Sequence, residues 1–213
     1  MTTVALVLYV VGLVAAFGIR TWLHKRRTGG SGFHGISGPP GSLRWWAGVL
    51  FVVALLLGAV AFVLAMIGAL PPPGGSDAAA IGLAGLVVWF CGLVVVLAAQ
   101  TDMGPSWRIG VEETERTELV SGRLFGLVRN PIFSGMVAAQ AGLTAMVPTW
   151  LSLAALACLV LAVQLQVRLI EEPYLLSLHG AAYRHYARTV GRFVPLVGTW
   201  RGGREEPAEA TGD

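Results

Sequence analysis

Two groups of residues in this chain have types and spacing that could do chemistry: Arg129-Asn130-Pro131-Ile132-Phe133-Ser134-Gly135 and Glu171-Glu172. Adjacent carboxylates can hold a cationic group. A proline in the first turn of a helix leaves the helix N-terminus open to an anionic one. Between the two groups, residues 130–167 carry no charge. These 38 residues would form a helix of roughly 57 Å, almost twice a hydrocarbon core of about 30 Å. Pro148-Thr149 stands at the midpoint, so the run reads as two spans joined by a tight turn. Both ends of such a hairpin return to one membrane face, where Arg129 and the glutamates become neighbours. Each feature also has a plainer reading. Arg129 is what a snorkelling boundary residue looks like, and the glutamates are a helix-end pair with Arg168 as their i−3 and i−4 partner.

The elements that must position these residues are membrane helices. The chain is 55% hydrophobic and 13% charged, with a mean hydropathy of +0.69, a composition that excludes an ordinary soluble domain. Three further apolar runs precede the hairpin, at 4–19, 45–70 and 78–101. The predicted fold is therefore all-α and integral to the membrane, with five transmembrane helices and a C-terminal interfacial amphipathic helix. No basic residue precedes the first run, and Arg20, Lys25, Arg26 and Arg27 follow it, the reverse of a cleavable signal peptide. With five spans, all 15 Lys and Arg residues fall in the segments 20–44, 102–130 and 168–213. That one-sidedness predicts an N-out, C-in topology. The net charge of +3 then reflects orientation. No basic patch is interleaved with exposed aromatics, which argues against nucleic-acid binding.

Three regions follow: three N-terminal spans over 1–101 with a Gly-rich cytosolic loop at 28–42, a core over 102–195, and a polar tail over 196–213. Within the core, 102–130 reads as an amphipathic segment along the inner interface. Leu175, Leu176, Leu178, Tyr183 and Tyr186 recur at helical spacing after the hairpin, and mark a helix that caps it. Cys91 and Cys158 fall inside spans and read as small packing residues, with no metal site implied.

The joint order of the motifs is more specific than any one of them. Leu119-Val120-Ser121 and Phe125 are followed by Arg129-Asn130-Pro131-Ile132-Phe133-Ser134-Gly135 and by Glu171-Glu172-x-x-Leu175. Then come His179-Gly180-x-x-Tyr183-x-x-Tyr186 and Val190-x-Arg192-Phe193-Val194-Pro195. This order resembles the isoprenylcysteine carboxyl methyltransferase and phospholipid methyltransferase superfamily of integral membrane enzymes, from about Trp107 to Pro195. The resemblance implies S-adenosylmethionine as cofactor, bound at the cytosolic interface by Thr117, Glu118, Leu119, Val120, Phe125, Arg129, Asn130, Pro131, Ile132, Phe133, Glu171 and Glu172. It implies that Tyr183 and Tyr186 line or brace the pocket. No catalytic residue is assigned; Arg129, Asn130 and Glu172 are candidates.

The chain departs from the superfamily pattern at several positions. Asn130 stands for a usual His, Phe125 and Phe133 for Tyr, Arg123 for Gly, and His179 for Phe. Asn still forms hydrogen bonds and Phe still stacks, so cofactor binding is compatible with these changes, whereas a proton-transfer role for the His is not. Val167 takes the place of an arginine that the isoprenylcysteine branch links to substrate, with Arg168 beside it. The implied partners are the bilayer and a lipophilic acceptor, either an isoprenylcysteine-like carboxylate or a lipid headgroup. A carboxylate or thiolate acceptor needs no base, whereas an amine needs one, for which His179, His185 and Tyr186 are candidates. Two other classes stay open: an NADPH-dependent sterol-type membrane reductase, which shares the hairpin and glutamates, and a non-catalytic descendant. Arg outnumbers Lys by 14 to 1, which with the Ala and Gly load points to a GC-rich bacterial genome, so the expected location of this multi-pass protein is the bacterial cytoplasmic membrane.

Overall fold

The computed structural model describes residues 1–28, 36, 38–72, 78–103 and 119–200. The first helix, α1 (Thr2–Leu13), runs through a π-turn (Val14–Ile19) into α2 (Arg20–Thr28). Then come α3 (Leu43–Met66), α4 (Ala78–Met103), the short α5 (Leu124–Leu127) and α6 (Pro131–Met146). Next, α7 (Trp150–Gln166) continues through a second π-turn (Val167–Glu171) into α8 (Glu172–Thr189). The expected all-α architecture is what the described residues form; outside the helices they make only isolated bridges.

Local chemistry sets the helix ends. Ser42 Oγ accepts the Trp45 amide at 3.2 Å and starts α3. Pro148 breaks the long apolar run, and Thr149 restarts it with a capping box. Thr149 Oγ1 accepts the Ser152 amide at 3.1 Å, and Ser152 Oγ accepts the Thr149 amide at 3.0 Å. The predicted hairpin with its turn at Pro148-Thr149 is therefore present as α6 and α7.

Among the described residues, four helices are long and apolar enough to cross a membrane: Thr2–Leu23, Leu43–Met66, Ala78–Met103 and the continuous Trp150–Thr189. The fourth expected span, α6, has 16 residues, about 24 Å. It packs chiefly along α4, while α7 packs chiefly along α3. The hairpin thus interleaves with the N-terminal helices instead of standing beside them. Contact between α4 and α6 is backbone to backbone. A methyl on Gly92 would lie 2.6 Å from both the Ala139 amide nitrogen and the Gly135 carbonyl. One core cluster joins Ala5 and Tyr9 of α1, Phe62 and Ala65 of α3, Trp89 of α4 and Leu143 and Met146 of α6. A second joins Ala54 of α3 to Leu159 and Val163 of α7, with Phe51, Phe133 and Cys158 packed against it. Cys158 is a packing residue as expected. Cys91 instead sits on an exposed, outward face of α4, and both thiols are free.

Candidate active site at the base of the hairpin

The hairpin returns its ends to one place. Arg129 Nη2 donates to Glu172 Oε1 at 2.7 Å across 43 residues of sequence, and both side chains are buried. A second guanidinium completes the clamp. Arg192 Nε donates to Glu172 Oε1 and its Nη2 to Oε2, each at 2.8 Å. Arg129 Nη1 also donates to the carbonyls of Ala187 at 2.8 Å and Val190 at 2.7 Å, and Nη2 to that of Gly198 at 3.2 Å. These carbonyls lie at and beyond the C-terminus of α8, where a cation is favoured. Burial raises the Glu172 carboxyl pKa. The hydrogen bonds from Arg192 and Arg129 outweigh that and hold it below its ordinary value.

Arg168, the expected partner of the glutamates, turns outward instead and donates to Gln164 Oε1 at 2.7 Å. Arg192 takes the partner's place. Its signal in the sequence is its position in the closing Val190-x-Arg192-Phe193 segment, which by itself assigns it no partner. The π-turn explains why Glu172 and not Glu171 faces inward. In a regular helix the buried stripe through Leu159, Val163 and Val167 continues to Glu171; the wider π-turn rotates the chain so that it continues to Glu172. Glu171 is half-buried and accepts Gln166 Nε2 at 3.2 Å.

The closing segment docks on the start of α6 like a short parallel strand. The Arg129 amide donates to the Gly191 carbonyl at 2.8 Å and the Asn130 amide to the Arg192 carbonyl at 3.1 Å. Asn130 Nδ2 donates to the same Arg192 carbonyl at 3.1 Å, and Ser134 Oγ to the Phe193 carbonyl at 2.8 Å. Asn130 is therefore turned toward the closing segment, and α6 begins at Pro131 with no side-chain cap. Ile132 and Phe133, the next two residues, are half-buried.

Tyr183 and Tyr186 brace from α8. Their rings meet edge to face at 6.1 Å, and Tyr186 Oη donates to the Phe125 carbonyl at 2.6 Å. Burial pushes the Tyr186 hydroxyl pKa up to about 12 and raises that of Tyr183 as well. Leu119 packs against this pair and Val120 is half-buried beside it in sequence. Thr117 and Glu118 lie outside the described residues. Arg123, where the superfamily carries Gly, has φ 52° and ψ −123°, a conformation glycine adopts without strain. Asp102 holds it, accepting Arg123 Nη1 at 3.0 Å and the Leu124 amide at 3.4 Å.

Residues 81–182 match the phospholipid methyltransferase family model. The resemblance drawn from the motifs is upheld at that level. This methyltransferase family match begins in α4 and ends in α8. It contains the α4–α6 contact, the hairpin, the second π-turn and both glutamates, and stops one residue before Tyr183. No curated protein matches the chain. The bracing tyrosines and Arg192 therefore lie outside the matched methyltransferase segment, and their place in the site comes from the geometry alone.

Proposed function

We propose that the chain is a membrane-embedded, S-adenosylmethionine-dependent methyltransferase acting on a lipophilic acceptor at the cytosolic interface, oriented N-out and C-in. The single observation that carries the reading is the coincidence of the family match with the clamped hairpin base. The matched segment contains the hairpin whose two ends Arg129 and Glu172 join.

The residues present fit the cofactor. Its carboxylate suits the uncapped N-terminus of α6, where Pro131 leads and the amides of Ile132 and Phe133 have no partner within the helix. Its amino group suits Glu171. Leu119, Val120, Phe125 and Phe133 offer apolar surface to the adenine. Arg129 and Glu172 are paired with each other, so their part is to fix the two walls in register; Asn130, Tyr183 and Tyr186 act likewise, as braces. Bound there, S-adenosylmethionine supplies an electrophilic methyl group that carries its own activation. The protein's task is then to orient donor and acceptor and exclude water, and rigid walls serve that task. A carboxylate pressed against the sulfonium would oppose its neutralisation in the transition state, which suits Glu171 to the amino end of the cofactor.

Binding of labelled S-adenosylmethionine and of NADPH to the detergent-purified chain tests this reading. Saturable binding of the first, weakened at least about tenfold by Glu171→Ala with the fold intact, is the expected result, since a charge-assisted hydrogen bond of that size is lost. Binding of NADPH alone would assign the chain to the reductase class. Binding of neither would make it a non-catalytic member.

A further inference from the structure

The closing segment is pinned at both ends and apolar in between. Phe193 packs against the cluster of Ala54, Leu159, Val163 and Val167, on α3, α7 and the π-turn after it. Trp200 packs beside Tyr183 and Tyr186, and its amide donates to the Ala187 carbonyl at 2.7 Å. Between these pins Val194-Pro195-Leu196-Val197 forms a tight turn. The Val197 amide donates to the Val194 carbonyl at 3.1 Å, and the two valines pair as an antiparallel bridge. The Arg192 amide donates to the Val197 carbonyl at 2.8 Å. Gly191 lets the turn fold back, since a side chain there would overlap the Val194 carbonyl. Val194 and Val197 are exposed, and Leu196 at the tip is 81% exposed, more than any other large apolar side chain among the described residues. Leu196 also has φ 64°. The third residue of a turn with that φ is ordinarily Gly or Asn, because a Cβ is strained there. Here a bulky apolar side chain takes a strained position and meets little of the protein, so the contact that offsets the strain lies outside the chain.

The surroundings indicate what that contact is. Phe193, just before the turn, is seated among helices long and apolar enough to cross a membrane. The outward surface of α7 and its π-turn stays apolar to the same level, through Leu161 to Leu169, and Val167 beside Leu169 shares the cluster with Phe193. The turn thus continues the surface that such helices present to lipid. We propose that Val194–Val197 is a membrane anchor. Its tip, Pro195 and Leu196, enters the acyl-chain boundary, and the flanking valines rest at headgroup level. The occupant is the lipid of the bilayer itself, so the anchor does not depend on what the chain methylates. Its consequence falls on the clamp. Arg192, which grips Glu172, precedes the turn, and Gly198, whose carbonyl accepts from Arg129, follows it. Seating the tip in lipid fixes both flanks at once, and the clamp is then held from the bilayer as well as from within the protein.

The test uses the full chain in phosphatidylcholine nanodiscs. In a background with Cys91→Ser and Cys158→Ser, a nitroxide on Leu196→Cys is read by power saturation. Oxygen, which partitions into lipid, and a nickel chelate, which stays in water, are the collision partners. The label should be reached more by oxygen than by the chelate. Greater access to the chelate would place the tip in water and overturn the proposal. Shielding from both would mean that protein covers the turn, another part of this chain or a second copy, and overturns it too. A second arm reads hydrogen exchange at the Arg129, Asn130 and Arg192 amides in Leu196→Gly, which removes the anchor and relieves the backbone strain together. Loss of an anchor predicts exchange about tenfold faster, the scale of withdrawing much of a leucine from hydrocarbon. Unchanged or slower exchange, the result of strain relief alone, overturns the proposal. The spin-label arm stands even where the glycine variant fails to fold.

Discussion

The adjacent glutamates where the second π-turn meets α8 have different surroundings, and single substitutions should separate the roles proposed for them. Glu172 accepts three guanidinium hydrogen bonds in a buried setting. Replacing it with Ala strands Arg129 among carbonyls and should cost about 3–5 kcal/mol, read as a large drop in thermal stability in detergent. Glu171→Gln, half-buried and outside the clamp, should leave the melting temperature nearly unchanged and weaken only donor binding. The clamp also predicts a pH signature. Because the Glu172 carboxyl is held below 4.5 in the folded state, its contribution is complete above that pH. It is lost as pH falls through the folded value, since the unfolded chain then binds the proton more readily. Stability measured from pH 6 downward should therefore fall in the acid limb, and Glu172→Gln should flatten that limb while lowering the plateau. Arg123 gives a prediction of opposite sign. Its side chain is 82% exposed, so its bond to Asp102 stabilises by at most about 1 kcal/mol, whereas its φ of 52° with ψ −123° costs about 1–3 kcal/mol. Arg123→Gly should raise the melting temperature; a drop would show that the ion pair outweighs the strain.

At the scale of elements, the sequence carried lengths and breaks better than rotations and partners. The uncharged run, Pro148 and the charges flanking it were enough to draw the hairpin and to make Arg129 and a glutamate neighbours. They could not say which glutamate turns inward, because a regular helical period fails at the π-turn and nothing in Val167-Arg168-Leu169-Ile170-Glu171 announces it. The proximity rule that paired Arg168 with the glutamates failed for the same reason, and Arg192 reaches Glu172 only because the closing segment folds back over α6. The α4–α6 pairing was not read: Gly85 and Gly92 on one helix and Gly135 and Gly142 on the other each recur seven residues apart, but only their backbone contacts show that the two stripes form a seam with each other. That seam makes its own prediction. Gly92→Ala would put a methyl 2.6 Å from main-chain atoms that cannot yield, and should cost about 1–3 kcal/mol. Gly12→Ala, whose methyl would meet only the Trp89 ring at 3.7 Å, should be neutral or stabilising. Thermal melting of both variants in one detergent checks the contrast.

For the whole molecule the open quantity is the passage of α6, which at 16 residues is shorter than the other membrane helices. Its partner in the hairpin, from Trp150 to Ile170, has 21 residues and spans about 31 Å, enough for a hydrocarbon core. The two share a turn at one end and the Arg129–Glu172 pair at the other, so they must cover the same depth. The difference of about 7 Å falls at Val128-Arg129-Asn130, which lie outside the helix: Val128 is extended, Arg129 bends, and Asn130 has φ −128° and ψ 59°. Non-helical backbone at that depth is tolerable only where protein satisfies it. Here the closing segment does so through the Gly191 and Arg192 carbonyls. We propose on this ground that α6 crosses the membrane as well; with the one-sided Lys and Arg distribution, that reading gives five spans. In a background with Cys91→Ser and Cys158→Ser, Ala78→Cys at the start of α4 and Trp150→Cys at the hairpin turn should react with a membrane-impermeant maleimide added outside intact cells. Val197→Cys, 62% exposed beside the clamp, should react only after permeabilisation. Labelling of Val197→Cys from outside would invert the topology, and labelling of Trp150→Cys only from inside would mean that the hairpin enters and leaves by the same face, removing the depth match on which the fifth crossing depends.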